Sequence, residues 1–295
     1  MLFASTVTGS AYLEQSRRLV DSLLEQYTPS ETSEPKSLHA AMRYSLLAGG
    51  KRIRPILALA TWEYCDGPRL GNVQSIHVAM AALEMVHTYS LIHDDLPCMD
   101  DDDLRRGIPT CHKKFGEAVA VLAGDALHDV AFELIAKTGS IQAVAELAQA
   151  IGTLGMIAGQ VADIEAEGRP VTKADVVNIH TRKTGALIRG SVRIGAVLAQ
   201  ADERLMDRLT IYGEKVGLAF QIIDDILDIQ GDQRKMGKEV GSDCKNQKAT
   251  YPGAVGLDQA HRDAAKLIDD ALDVFDERED NRLKYIARFI GQRER

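Results

Sequence analysis

Two groups of aspartates, far apart in the chain, have the clearest capacity for chemistry. Asp94, Asp95 and Asp100 lie in SLIHDDLPCMDDDDLRRG, and Asp224, Asp225 and Asp228 lie in FQIIDDILDIQGD. Each group is approached by an apolar, helix-like run. Carboxylates crowded beside apolar surface are costly unless cations neutralise them. Magnesium ions accept carboxylate oxygens and keep coordination positions for water and substrate phosphates. Two facing carboxylate sets with metals between them would hold a diphosphate.

Basic residues accompany both groups. Lys51, Arg52 and Arg54 follow the Gly49-Gly50 break in AGGKRIRP, and Arg105 and Arg106 follow the first acidic run. Lys183 and Thr184 lie in HTRKTGAL, and Lys238 in MGKEVGSD. Arginine presents a planar fork to phosphate oxygens, and lysine acts as a point charge. Two basic sets beside a metal site point to two phosphorylated substrates, one held through metal and one through side chains alone. The Gly-Gly-Lys spacing is not that of a phosphate-binding P-loop, which argues against a nucleotide.

The elements that must position these groups are helical. Gln221, Asp224, Asp225 and Asp228 fall at i, i+3, i+4 and i+7, on one helix face. Pro97 predicts that the helix carrying Asp94 and Asp95 ends there, with Asp100 swinging back from a loop. Helices are expected over residues 11–27, 36–48, 53–65, 72–95, 114–137, 140–165, 172–180, 183–200, 202–229, 253–277 and 280–292, with no convincing period-two run. Gly155, Gly159 and Gly195 read as sites of close helix approach, Gly124 as structural rather than catalytic, and 231–241 as a mobile loop. With no internal repeat or low-complexity linker, the expectation is a single all-α domain over 1–295, a helical bundle around a central cavity.

Composition bounds the partners. The chain has 295 residues and a formal net charge of −8, with no basic tract, so nucleic acid is not an expected partner. Its 45% hydrophobic but only 5% aromatic content suits helix-on-helix packing. Cys65, Cys98, Cys111 and Cys244 form no CxxC pair and read as free thiols in a reducing cytoplasm. No secretory signal and no run of about 18 apolar residues is evident, so no membrane span is expected.

GGKRIRP, DDLPCMDDDDLRRG, KTGAL, FQIIDDILD and the Gly-Lys at 237–238 together resemble the trans-isoprenyl diphosphate synthases, closest to their bacterial farnesyl diphosphate branch. The resemblance runs in order from about Ala40 to the C-terminus. Four residues separate Asp95 from Asp100, two more than in the shorter motif elsewhere in the family and as in the bacterial and plant type; Asp101, Asp102 and Asp103 extend the motif, with Asp101 and Asp102 expected to be solvated or to cap the following turn. It implies head-to-tail condensation of isopentenyl diphosphate with dimethylallyl or geranyl diphosphate, in a cytoplasmic homodimer using three Mg²⁺, with Mn²⁺ able to substitute. Asp94, Asp100 and Asp224 would bind metal, supported by Asp95, Asp225 and Asp228. Arg105, Lys183, Thr184, Gln221 and Lys238 would contact the allylic substrate. Lys51, Arg54, Arg106 and His87 would hold isopentenyl diphosphate, with Arg52 nearby.

His87 precedes Asp94 by seven residues and shares its helix face. By its residue type alone it reads as a core histidine, as His93 does. Tyr89 lies about 7.5 Å down the same helix from Asp94, and Ser90 one turn below it. An aromatic at Tyr89 resembles the pattern that stops growth at C15, with a C20 geranylgeranyl product as the alternative. A class I terpene cyclase would carry an Asn/Ser/Glu-type second motif and lack GGKRIRP. A non-catalytic synthase subunit would lose one acidic motif, and this chain keeps both.

Overall fold

Apolar residues recur at helical spacing along most of the chain, and helices form where they do. The computed structural model describes residues 9–230, 248–276 and 281–293. Its helices are α1 Gly9–Tyr27, α2 Lys36–Leu46, α3 Ile53–Tyr64, α4 Gly67–Leu70, α5 Val73–Asp94, α6 Cys111–Phe115, α7 Glu117–Ala136 and α8 Ile141–Ile151. They continue as α9 Met156–Ala166, α10 Lys173–His180, α11 Ala186–Leu198, α12 Glu203–Gln230, α13 Tyr251–Val255, α14 Leu257–Leu272 and α15 Arg282–Gly291. A two-residue ribbon, β1 Leu104–Arg105 and β2 Ile108–Pro109, is the one pair of strands among the described residues. The all-α reading holds.

The central element is α5. Ile76 and the run from Val78 to Val86 are buried all round it, so it lacks the polar face of a surface helix. Asn72 caps its start by accepting from the Gln74 backbone N–H at 2.9 Å. It packs chiefly against α7 and α3, while α12 lies against α11 and α14. Each large apolar side chain buried this way contributes about 1.5–3 kcal/mol. The sum lets α5 carry buried Glu84 and Asp95 without losing its place. The buried apolar residues form one continuous cluster from Tyr12 to Ile290.

Several expected helices are divided. Residues 140–165 become α8 and α9, broken at 152–155, where Gly155 cannot carry a side chain without striking the Gln149 and Ala150 carbonyls. The stretch Ile141–Ala166 is apolar enough, with an 18-residue window of mean hydropathy 1.3, to match a membrane-spanning composition. The break leaves two 11-residue helices, each short of the ~20 residues a span needs. Gly116 (φ 84°) separates α6 from α7, and Gly256 (φ 83°) separates α13 from α14. These left-handed backbones interrupt the helix where apolar periodicity alone predicts continuity. Cys65, Cys98 and Cys111 are free thiols. Lys238, Cys244 and the loop 231–241 lie outside the described residues.

Candidate active site

The first acidic group forms where α5 stops. Asp95 caps the helix, and the Asp100 backbone N–H returns to the Asp94 carbonyl at 2.8 Å, so the chain folds back as Pro97 demands. Adjacent carboxylates then part ways. Asp95 is 3% exposed and accepts from Arg105 Nε at 2.6 Å, whereas Asp94 keeps partial exposure. Asp100 pairs with Lys248 at 2.9 Å. Burial raises Asp94 to about 6, with Asp100 and Asp95 adding to the rise and Lys183 opposing it. Asp103 pairs with Lys113 on the surface, and Asp102 lies 3.4 Å from Arg105.

The second group is braced from beneath. Asp225 accepts from Gln221 Nε2 at 3.0 Å and from the Tyr251 backbone N–H at 2.7 Å, and His180 Nε2 lies 3.3 Å away. Thr184 donates to Gln221 Oε1 at 2.7 Å. Asp228 is buried, and Asp224 turns outward to Arg293 at 2.8 Å. One face of α12 thus divides into a presented carboxylate and an anchored pair.

Lys183 and Thr184 reach these partners from a π-helical turn, Thr181–Gly185, between α10 and α11. Such turns widen the helix and re-aim its side chains. Lys183 Nζ meets Asp163 of α9 at 2.6 Å, while Thr184 faces α12. Gly159 makes room, because a Cβ there would collide with the Lys183 backbone nitrogen.

The cations gather on the other side. Gly49 (φ 86°) and Gly50 (φ 135°) end α2 in backbone that a side-chain residue resists, and Arg106 donates to the Gly49 carbonyl. Arg54 Nε is buried without a hydrogen-bond partner, beside the charges of Glu84, Asp224, Arg106 and Arg293. His87 lies below. Burial depresses its pKa well below the usual value, and Arg54, Arg106, Arg105 and Arg52 depress it further. Lys51, at the exposed rim, is lowered to about 8 by burial and Arg293, against the pull of Asp224. Several guanidinium groups around one neutral imidazole, one with an unmet donor, form a site built for an anion.

The carboxylates suit a hard divalent cation, being all-oxygen donors, with Asp94 held by burial and then by its acidic neighbours where it resists ionisation. Among the described residues no three His, Cys, Asp or Glu side chains converge into a metal cage. Mg²⁺ is commonly bound through one or two carboxylates together with substrate phosphates.

The polyprenyl synthetase family model matches residues 35–290. The chain belongs to the polyprenyl synthetase family. It is 46% identical over 260 residues to the farnesyl diphosphate synthase of Bacillus subtilis, covering 85% of this chain and 86% of that one. It is also 46% identical over 272 residues to the chloroplastic geranylgeranyl pyrophosphate synthase of Capsicum annuum, covering 88% and 73%. A solved FPP/GFPP synthase from Zymomonas mobilis superposes with a TM-score of 0.81 at 36% identity, over 96% of this chain and 98% of that one.

In this polyprenyl synthetase most of the sequence-derived site falls on one circuit of contacts. Asp94 senses Lys183, Thr184 bonds Gln221, Asp224 bonds Arg293, and Lys51 and Arg54 sense Asp224. Arg52 is the correction. Its guanidinium donates to Asp21 at 2.9 Å, Glu84 at 2.7 Å and the Leu46 carbonyl at 2.9 Å, with 1% of its side chain exposed. Each of its three nitrogens donates within the protein, so its buried guanidinium ties α1, α2 and α5 together. Gln221, with its oxygen accepting and its nitrogen donating inside the protein, orients Thr184 and Asp225. His93 is structural as expected, with Nε2 3.0 Å from the Val121 carbonyl and Gly124 leaving space for the ring.

Sequence reasoning missed Asp163, His180, Lys248, Tyr251 and Arg293. Asp163 carried the one usable signal, a carboxylate lying within the apolar stretch 156–164, four residues after Gly159. The others reach the site only by tertiary contact.

Proposed function

We propose that this polyprenyl synthetase joins isopentenyl diphosphate to dimethylallyl or geranyl diphosphate, releasing diphosphate, with farnesyl diphosphate (C15) as product. The supporting observation is the anion site of Arg54, Arg106, Lys51 and His87 beside the carboxylates Asp94 and Asp224. In this reading Asp94, Asp100 and Asp224 hold three Mg²⁺, replaceable by Mn²⁺, as a homodimer of single-domain chains acting without nucleic acid. Exposed apolar residues such as Leu122 on α7 are surface that a second copy would cover.

Bound Mg²⁺ supplies charge neutralisation for the departing diphosphate. Lys183 and Arg105 face the same leaving group from the protein side, with Thr184 orienting it and Lys238 assigned to it from the sequence. Lys51, Arg54 and Arg106 fix the isopentenyl diphosphate so that its double bond meets the allylic carbon. The C–O bond of the allylic partner breaks, a C–C bond forms, and the proton lost from isopentenyl carbon passes to the released diphosphate. No side-chain nucleophile takes part.

Tyr89 supports the C15 length. Its ring is 8% exposed and held edge-on between His93 (centroids 5.8 Å) and His128 (5.2 Å), so it is a stiff stop, with Ser90 turned to the His87 carbonyl at 2.9 Å. The C20 reading draws on the equal identity to the geranylgeranyl relative.

Incubation of the purified protein with labelled isopentenyl diphosphate, dimethylallyl diphosphate and Mg²⁺, followed by dephosphorylation, reads chain length directly. A dominant C15 alcohol is expected, and Tyr89→Ala should lengthen it. A C20 product from the wild type would discard Tyr89 as the stop while keeping the reaction. A blank across allylic partners and Mg²⁺ concentrations would sink the proposal.

A further inference from the structure

Resting on the function proposed above, we infer that Asp163 is a positioning residue, which holds the Lys183 ammonium toward the diphosphate site and off Asp94. Lys183 has two carboxylates to choose between. It bonds Asp163 Oδ2 at 2.6 Å, and it acts on Asp94 only through space, as the largest opposing charge there. Asp163 is 6% exposed, so the pair is shielded from solvent and its attraction is little screened.

The backbone is arranged to favour this choice. Gly159 brings α9 against the π-turn at Lys183, and Asp163 follows one helical turn later on the same face. The π-turn separates Lys183 from Thr184, sending one to α9 and the other to Gln221 on α12. His180 completes the bracket. It lies under the charges of Asp163 and Lys183 while reaching Asp225 at 3.3 Å. Asp163 is thereby tied through neighbouring polar groups to both acidic clusters.

Without Asp163, the Lys183 charge would be left to Asp94, the carboxylate it already favours in its ionised form. A lysine seated there would neutralise the carboxylate on which a divalent cation depends and would withdraw a cation from the diphosphate. The substitution Asp163→Asn keeps the shape and removes the charge, so it isolates this competition.

The test is a double-mutant cycle with Asp163→Asn, Lys183→Ala and both together, reading kcat/KM for each substrate and Mn²⁺ binding in the presence of inorganic diphosphate by electron paramagnetic resonance. Asp163→Asn is expected to weaken Mn²⁺ binding and allylic kcat/KM by about 10- to 100-fold, with KM for isopentenyl diphosphate unchanged. In the Lys183→Ala background the same change should have little further effect on either readout. Additive losses would overturn the inference, because Asp163 would then act independently of Lys183. So would unchanged Mn²⁺ binding in a folded Asp163→Asn protein. A wild type that elongates nothing would instead strike the proposed function, while the Mn²⁺ cycle would still judge the positioning role.

Discussion

The acidic clusters on α5 and α12 read alike in sequence but are supported differently. At the end of α5 the helix has stopped, and the carboxylates meet cations brought by loops: Arg105 at Asp95 and Lys248 at Asp100. In the body of α12 the helix continues, and Asp225 is held by a backbone N–H, an amide and an imidazole from its neighbours. Yet both arrive at the same division of labour between adjacent residues. Asp94 and Asp224 are presented, and Asp95 and Asp225 are anchored. Side chains about 100° apart on a helix meet different neighbours, so of two adjacent aspartates one is braced while the other stays presented.

The largest expected effect tests this division directly. Asp94→Asn should lower kcat/KM by roughly 10²- to 10³-fold while leaving thermal stability intact, because it removes a charge that is unfavourably buried and built to meet another. Asp224→Asn should behave alike. Asp225→Asn should lose about 1–3 kcal/mol in urea unfolding, since the Tyr251 N–H loses its charged acceptor. If Asp225→Asn left stability unchanged and cost as much activity as Asp94→Asn, the presented-and-anchored distinction would fail.

The same contrast recurs on the basic side, where Arg52 braces and Arg54 is presented. Arg52→Met strands Glu84 and should cost about 3–5 kcal/mol of folding free energy by denaturant titration. Arg54→Met should change stability little and raise KM for isopentenyl diphosphate about 10- to 100-fold. Reversal of these two results would show that the buried network had been misassigned.

A smaller effect follows from Lys51. Its pKa near 8 lies below that of an unfolded lysine, so the charged form is disfavoured in the fold. The resulting stability cost is present below about pH 8 and disappears as pH rises toward the unfolded value. Lys51 keeps exposed surface, so solvent makes this cost small. The anion site loses charge over the same range, and KM for isopentenyl diphosphate should rise severalfold between pH 7 and pH 9. A flat profile that Lys51→Met leaves unaltered would remove Lys51 from the site.

Much of the chemistry was legible in the chain because it depends on residue type and local spacing. The carboxylate runs, the Gly49-Gly50 break, the stop at Pro97 and the 3.6-residue periodicity are local properties, and helices read them out directly. The divided helices were less legible, since Gly116 and Gly256 interrupt the backbone without disturbing the apolar pattern. The polar partners were not legible at all. Asp163, His180, Tyr251, Lys248 and Arg293 lie between 20 and 148 residues from the groups they serve, and any one alone reads as a surface charge, a ring or a turn.

By itself, then, the sequence determined an all-helical chain with two acidic clusters and the cations to serve a diphosphate, because side-chain chemistry and helix periodicity are set by consecutive residues. Only the tertiary structure decided which member of each charged pair is presented and which is buried. That choice depends on the groups packed above each side chain, and burial decides whether a charge is worth more as a brace or as a ligand.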